Sequence, residues 1–194
     1  MPTDEQPVSP ADALALIEGE LRSLASTIVR DHQEELQDLA RHIDAADRVF
    51  LLGAGRSGLA LRMLGMRLMH LGLSVHIVGD VTTPAIAAAD LLVTASGSGT
   101  TASIVRAAET AVDVGATVVA VTTTAESPLA TLATTALVVP AAQKLDRSAT
   151  ASVQYAGGLF EQAVVLIGDA LFHSLWKASG QSADDIWPRH ANLE

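Results

Sequence analysis

Cysteine is absent from this chain. Disulfides and thiolate chemistry are excluded, and compartment has to be argued on other grounds. Aromatic residues make up only 3%, so any core must be aliphatic. Basic residues are outnumbered, 12 Lys and Arg against 22 Asp and Glu, for a formal charge of −10. That balance argues against non-specific nucleic-acid binding. It also means that an anionic substrate must find a local basic pocket inside an acidic field. Long hydrophobic runs are missing too: no stretch reaches about 18 apolar residues without a charged or polar interruption, so no membrane span is expected. The opening segment from Met1 to Pro7 is polar and acidic, with neither a basic start nor an apolar stretch of a secretory signal. These absences together predict a soluble cytoplasmic protein.

Apolar residues, mostly Ala, Val and Leu, make up 49% of the 194 residues, enough for a buried core. No internal repeat, low-complexity segment or linker divides the chain, and a single domain over 1–194 is expected. Residues 1–9 read as a loose tail. Ser9-Pro10-Ala11-Asp12 is a helix start, and apolar residues recur at helical spacing from Leu14 to Val29. A second, more charged helical stretch runs from Asp31 to Ile43, which makes 1–46 an N-terminal helical extension. The sheet core, 47–140, follows. Strands are predicted at 48–52, 74–78, 91–95, 117–121 and 136–139, with helices at 59–71, 100–114 and from Pro128. A polar loop over 143–152 leads to a long helix from about Gln154 to Ala178, and a polar tail closes the chain at 180–194. Strands alternating with helices predict an α/β fold: a five-stranded parallel sheet flanked by helices, three-layered and flavodoxin- or Rossmann-like. Such sheets bind ligands beyond the carboxyl ends of their strands.

Two glycine-rich loops fall at that end. The first, Gly53-x-Gly55-x-x-Gly58, carries Arg56 and Ser57. It matches a dinucleotide fingerprint, and Asp80 lies roughly where a ribose-binding acid belongs. The second, Ser96-Gly97-Ser98-Gly99-Thr100-Thr101, opens the next helix. Its glycines permit close approach to a ligand, its hydroxyls donate hydrogen bonds, and the helix start adds free N–H groups. One dinucleotide needs one such turn. Two loops with Ser57, Ser96, Ser98 and Thr101 suit one compact phosphate. No Lys follows as in a P-loop, and no His or Asp spacing calls for a metal.

On these residues the chain resembles the sugar isomerase (SIS) domain family, whose Ser-x-Ser-x-x-Thr loop grips a sugar phosphate. Within it, the chain is similar to the 6-phospho-3-hexuloisomerases. The likeness is carried by the two glycine-rich loops, by Met66-Arg-Leu-Met-His70-Leu-Gly72, by Leu159-Phe160-Glu161-Gln162 and by His190-Ala-Asn-Leu-Glu194. One departure is Thr100, where that family loop usually has Glu. The resemblance implies interconversion of 3-hexulose 6-phosphate and fructose 6-phosphate through an enediol, in formaldehyde fixation by the ribulose monophosphate route. It implies no cofactor and no metal. Gly55, Arg56, Ser57, Ser96, Gly97, Ser98, Gly99, Thr100 and Thr101 become the phosphate-binding set, and Glu161 the base. Apolar neighbours Leu159, Phe160 and Val164 are expected to bury Glu161 in part. The rival view of Glu161, a surface carboxylate near a helix dipole, stays open.

His70 and His190 are candidates to stabilise or protonate the enediolate oxygens. His190 is in a tail with little reason to hold structure, one that a family of tetramers can reach across to a neighbour's site. Lys144 and Arg147 are read as a solvated loop, and His32, His42, His76 and His173 as solvent or packing residues. With C6 esterified, no five-membered ring closes onto C3, so the substrate is mostly open-chain and needs little ring-opening catalysis. The long helix is apolar nearly all round, which points to a homo-oligomer, a tetramer by resemblance. The metabolic partner implied is 3-hexulose-6-phosphate synthase, acting in sequence without a stable complex. Two other functions remain: a non-catalytic sugar-phosphate-binding module and an NAD-linked oxidoreductase.

Overall fold

The computed structural model describes residues 8–193, so the expected tail is described only at residues 8 and 9, and the rest of it, with Glu194, lies outside the described residues. Helix α1 (Pro10–Asp31) starts as expected: the Ser9 hydroxyl accepts the Asp12 N–H, and Pro10 occupies the first turn. Helix α2 (Gln33–Ala45) follows. The α/β unit then runs β1 (Val49–Gly53), α3 (Gly55–Leu71), β2 (Val75–Ile77), β3 (Leu91–Ala95), α4 (Ala102–Asp113), β4 (Thr117–Thr122), α5 (Pro128–Leu132) and β5 (Thr135–Val138). Helices α6 (Gly158–Ser179) and α7 (Ala183–Ile186) complete the order.

All four strand pairings are parallel, in the order β2-β1-β3-β4-β5. The pleat sends alternate residues to opposite faces. Val49, Leu51, Leu91, Val93, Val119 and Val121 pack into one aliphatic cluster with residues of α1, α2, α3 and α6. Phe50, Leu92, Val118 and Ala120 pack under α4 and α5. This is the predicted sheet between two helical layers. Strand order reverses at β1 and β3, so the crevice lies beyond their carboxyl ends.

Three local readings change. Helix α3 begins at Gly55, not Leu59, and so takes in most of the first glycine loop. Gly53 and Gly58 meet backbone to backbone: a Cβ on Gly58 would lie 2.4 Å from the Gly53 carbonyl oxygen. The long helix begins at Gly158, because Ala156 (φ 50°) and Gly157 (φ 80°) are left-handed and interrupt it. The tail is not loose. Ser182 and Asp185 form a reciprocal capping box that starts α7, and Ile186 is buried. Arg189 then donates to the His70 carbonyl at 2.9 Å, docking the tail on the end of α3.

Tyr155–Ser179 is long and apolar enough by composition to cross a membrane. Within this fold its Leu159, Phe160, Ala163, Val164, Ile167, Leu171 and Leu175 are buried in the sheet-facing core.

Candidate active site

A cavity of about 220 Å³ opens beyond β1 and β3, where the first turns of α3, α4 and α6 converge. Gly55, Arg56 and Ser57 come from α3 and Ser96, Gly97, Ser98 and Thr101 from the loop into α4. Gly157, Phe160 and Glu161 come from the start of α6, and Lys144 from the loop before it. Each helix start presents unsatisfied N–H groups and the positive end of a dipole. Three such ends on one cavity make an anion site within an acidic chain. Arg56 and Lys144 supply cationic side chains there, and Glu161 an anionic one.

The second loop is pinned from behind. The Gly97 carbonyl accepts from Thr122 Oγ1 at 3.1 Å, Thr123 Oγ1 at 2.8 Å and the Thr123 N–H at 3.0 Å. Ser96 and Thr101 hydroxyls lie 3.1 Å apart, holding both ends of the loop together. Gly99 is left-handed (φ 62°), and a Cβ there would collide with Ser127. It therefore shapes the loop without lining the cavity. Thr100 is exposed, and its hydroxyl donates to Ser98 Oγ at 3.0 Å, so it too stands off the cavity wall. Of the nine residues expected to bind phosphate, the structure brings seven to the cavity.

Glu161, in the first turn of α6, is ion-paired with Arg56 across the cavity. Its side chain is 18% exposed and that of Arg56 68%, so the guanidinium reaches into solvent while the carboxylate is sheltered. Phe160 is buried beside it, with its ring 3.5 Å from where a Gly97 side chain would begin. Glu161 is at a positive helix end, as the rival view has it, but it lines the cavity and is sheltered and not at the surface.

His70 and His190 are together, but not here. Their rings stack with centroids 3.9 Å apart, and the Trp187 ring lies 4.6 Å from that of His190. His70 is 5% exposed, and its Nδ1 has no hydrogen-bond partner among the described residues. Burial, then His190 and Arg67, hold its pKa below the usual imidazole value. It is at the far end of α3 from Ser57, about 20 Å along the helix axis. The other histidines pack or face solvent: His42 Nε2 lies 3.1 Å from Thr135 Oγ1, and His76 stacks near Phe50.

Lys144 and Arg147 are both exposed on the loop before α6, as expected, but Lys144 also lines the cavity, whereas Arg147 does not. The α6 wall, Ala156, Gly157 and Phe160, was missed as well. Its signal was Gly157-Gly158 placed just ahead of an apolar run. The dinucleotide fingerprint residues keep a local structural role that such a motif shares. Gly53 and Gly58 serve backbone packing, and Asp80 accepts from Arg62 at 2.8 Å.

The chain matches the SIS domain sequence model over residues 42–165, and it belongs to the SIS domain family. Several relatives are named 3-hexulose-6-phosphate isomerases. A 3-hexulose-6-phosphate isomerase of Mycobacterium gastri is 52% identical over 93% of this chain and 89% of its own. That of Bacillus subtilis is 37% identical, covering 93% and 97%. A Methanococcus jannaschii crystal structure, for which a 3-hexulose-6-phosphate isomerase function was inferred, superposes with a TM-score of 0.78 at 27% identity, covering 94% and 99%.

Proposed function

We propose that this chain interconverts 3-hexulose 6-phosphate and fructose 6-phosphate. The observation that carries the reading is the cavity where three helix starts face a sheltered carboxylate, in a chain 52% identical to an enzyme of that name. Ser57, Ser96, Ser98, Thr101 and the adjoining N–H groups hold the phosphate, with Arg56 and Lys144 balancing its charge. Glu161 takes the proton from C2, which leaves a C2–C3 enediolate, and the same carboxyl returns it to C3. The net change moves the carbonyl from C3 to C2, with no oxidant or reductant. A proton must also pass between the two oxygens. His70 and His190 are the candidates, and because they are at the far end of α3 from this cavity, we infer that they would act on a neighbouring subunit's cavity.

Self-association has support on α3, where Leu59, Met63 and Met66 recur at helical spacing and are 63%, 53% and 59% exposed in the single chain. A cytoplasmic homotetramer, built from one domain per chain and fed by 3-hexulose-6-phosphate synthase, is the assembly we infer. In a purely sugar-phosphate-binding module a carboxylate in the cavity would serve only to accept sugar hydroxyls; catalysis is favoured by the 52% identity to a named isomerase. The test is Glu161→Gln. Turnover of fructose 6-phosphate without nucleotide should be abolished while inorganic phosphate binds as before. Full activity in that variant rules out Glu161 as the base.

A further inference from the structure

We propose that Glu20 of α1, which precedes the family-matched region, is a positioning residue that sets the start of α6 and hence the carboxylate of Glu161. The proposal rests on the reading of Glu161 as the base.

Leu21, Leu24 and Ile28 seat α1 in the core. This places the Glu20 carboxylate against a segment more than a hundred residues further on. Oε1 accepts the Val153 N–H at 2.8 Å. Oε2 accepts the Ser152 hydroxyl and the Gln154 side-chain amide, each at 2.8 Å. Desolvation opposes its charge, but the donors from Gln154, Val153 and Ser152 outweigh it and hold the Glu20 pKa below the ordinary carboxylate value. Gln154 then pairs with Gln162 through both amides, at 2.8 and 3.1 Å. Gln162 is the residue next to Glu161.

The segment so held has reason to move if released. Ala156 and Gly157 are both left-handed, and for Ala that conformation persists only when its surroundings impose it. The first turn of α6 has no side-chain cap of its own. Ala156 and Gly157 also line the cavity. The carboxylate of Glu20 and the glutamine pair therefore tether the start of α6 from outside, without bonding its first-turn N–H groups. The phosphate loops depend on none of this, since they are tied to β1 and β4. Loss of Glu20 should leave the hydroxyl donors of both loops intact, so phosphate loses little while the base drifts with the start of α6.

The experiment compares Glu20→Ala and Glu20→Gln in the full chain, reading kcat, KM, inorganic phosphate affinity and thermal unfolding. A misplaced base predicts a fall in kcat of about 10- to 100-fold in Glu20→Ala. Phosphate affinity should stay within about twofold of the parent. Glu20→Gln keeps one acceptor oxygen and should fall between the two. If Glu20→Ala does not fold, Gln154→Met cuts the same relay and should show the same split. A folded Glu20→Ala with undiminished kcat overturns the proposal, as does a parallel loss of kcat and phosphate affinity, which marks a merely structural role. Glu161→Gln in the same series separates the two failures. If it is inactive while Glu20→Ala is fully active, only the Glu20 assignment falls. If it is active, the base assignment falls and this one with it.

Discussion

Replacing Gly58 with Ala places a methyl carbon 2.4 Å from the Gly53 carbonyl oxygen and 2.9 Å from its carbonyl carbon. One side must move by at least about 0.6 Å to restore even the shortest tolerated contact. Strand β1 cannot, because it is paired with β2 on one side and β3 on the other, and Val49, Phe50 and Leu51 are each 1% exposed. The start of α3 must yield, and Ser57 and Arg56 go with it. Overpacking of this kind costs about 1–3 kcal/mol of stability. Displacing the donors of one helix start loosens about two hydrogen bonds to phosphate, each worth about 1 kcal/mol net. Phosphate affinity should therefore drop about 10- to 30-fold. Calorimetric titration with inorganic phosphate reads the second effect and urea unfolding the first. Gly65→Ala is the control. Its Cβ meets side-chain tips, Leu51 Cδ1 at 2.9 Å and Ile77 Cδ1 at 3.3 Å, further along the same helix. It should cost stability and leave phosphate binding alone. Undiminished affinity in a destabilised Gly58→Ala protein would show that α3 is no part of the anion site.

At the opposite end of the sheet, Asp90 accepts two bonds from Arg48, at 2.9 and 2.6 Å, and the Ala87 N–H at 2.6 Å, with its side chain 2% exposed. Arg48 chiefly holds its pKa below the usual carboxylate value. The stability it contributes is thus present above about pH 4 and lost as pH falls through the depressed folded value. Asp90→Asn should cost about 2–3 kcal/mol at pH 7 and flatten the acid dependence of the urea midpoint, and an unchanged acid slope refutes this. The His70 and His190 stack should loosen in acid. The His70 pKa is lowered by burial, so the folded state resists protonation, and stability falls as pH drops below about 6.5. Arg67 on α3 adds to the repulsion. Trp187 emission should report the change between pH 8 and 5, and a response that persists unaltered in His190→Leu counts against it.

Features that were legible in the sequence are those decided within a few residues. Strand β3 has the bounds expected, because Asp90 and Ser96 close an apolar run on both sides. The Ser9 and Ser127 caps were legible for the same reason, as was the glycine- and hydroxyl-rich loop into α4, which spans six consecutive positions, 96–101. The Ser182 and Asp185 capping box was equally local and was overlooked because the surrounding tail is polar. Other features have no local signature at all. The break at Ala156 is invisible to helix propensity, since alanine is a strong helix former and only its surroundings force it left-handed. Lys144 looked like any solvated lysine until the start of α6 was brought beside it. His70 and His190 are 120 positions apart and meet only because Arg189 docks the tail. Local chemistry suffices for the proposed anion cradle, because glycines, hydroxyls and a helix start must be contiguous to form one. A base has no such constraint. It needs one carboxylate at the right distance from a carbon, and that distance is set by contacts as remote as Glu20. The proposed grip on phosphate is therefore readable from a short motif, whereas the placing of Glu161 depends on the packing of the whole fold.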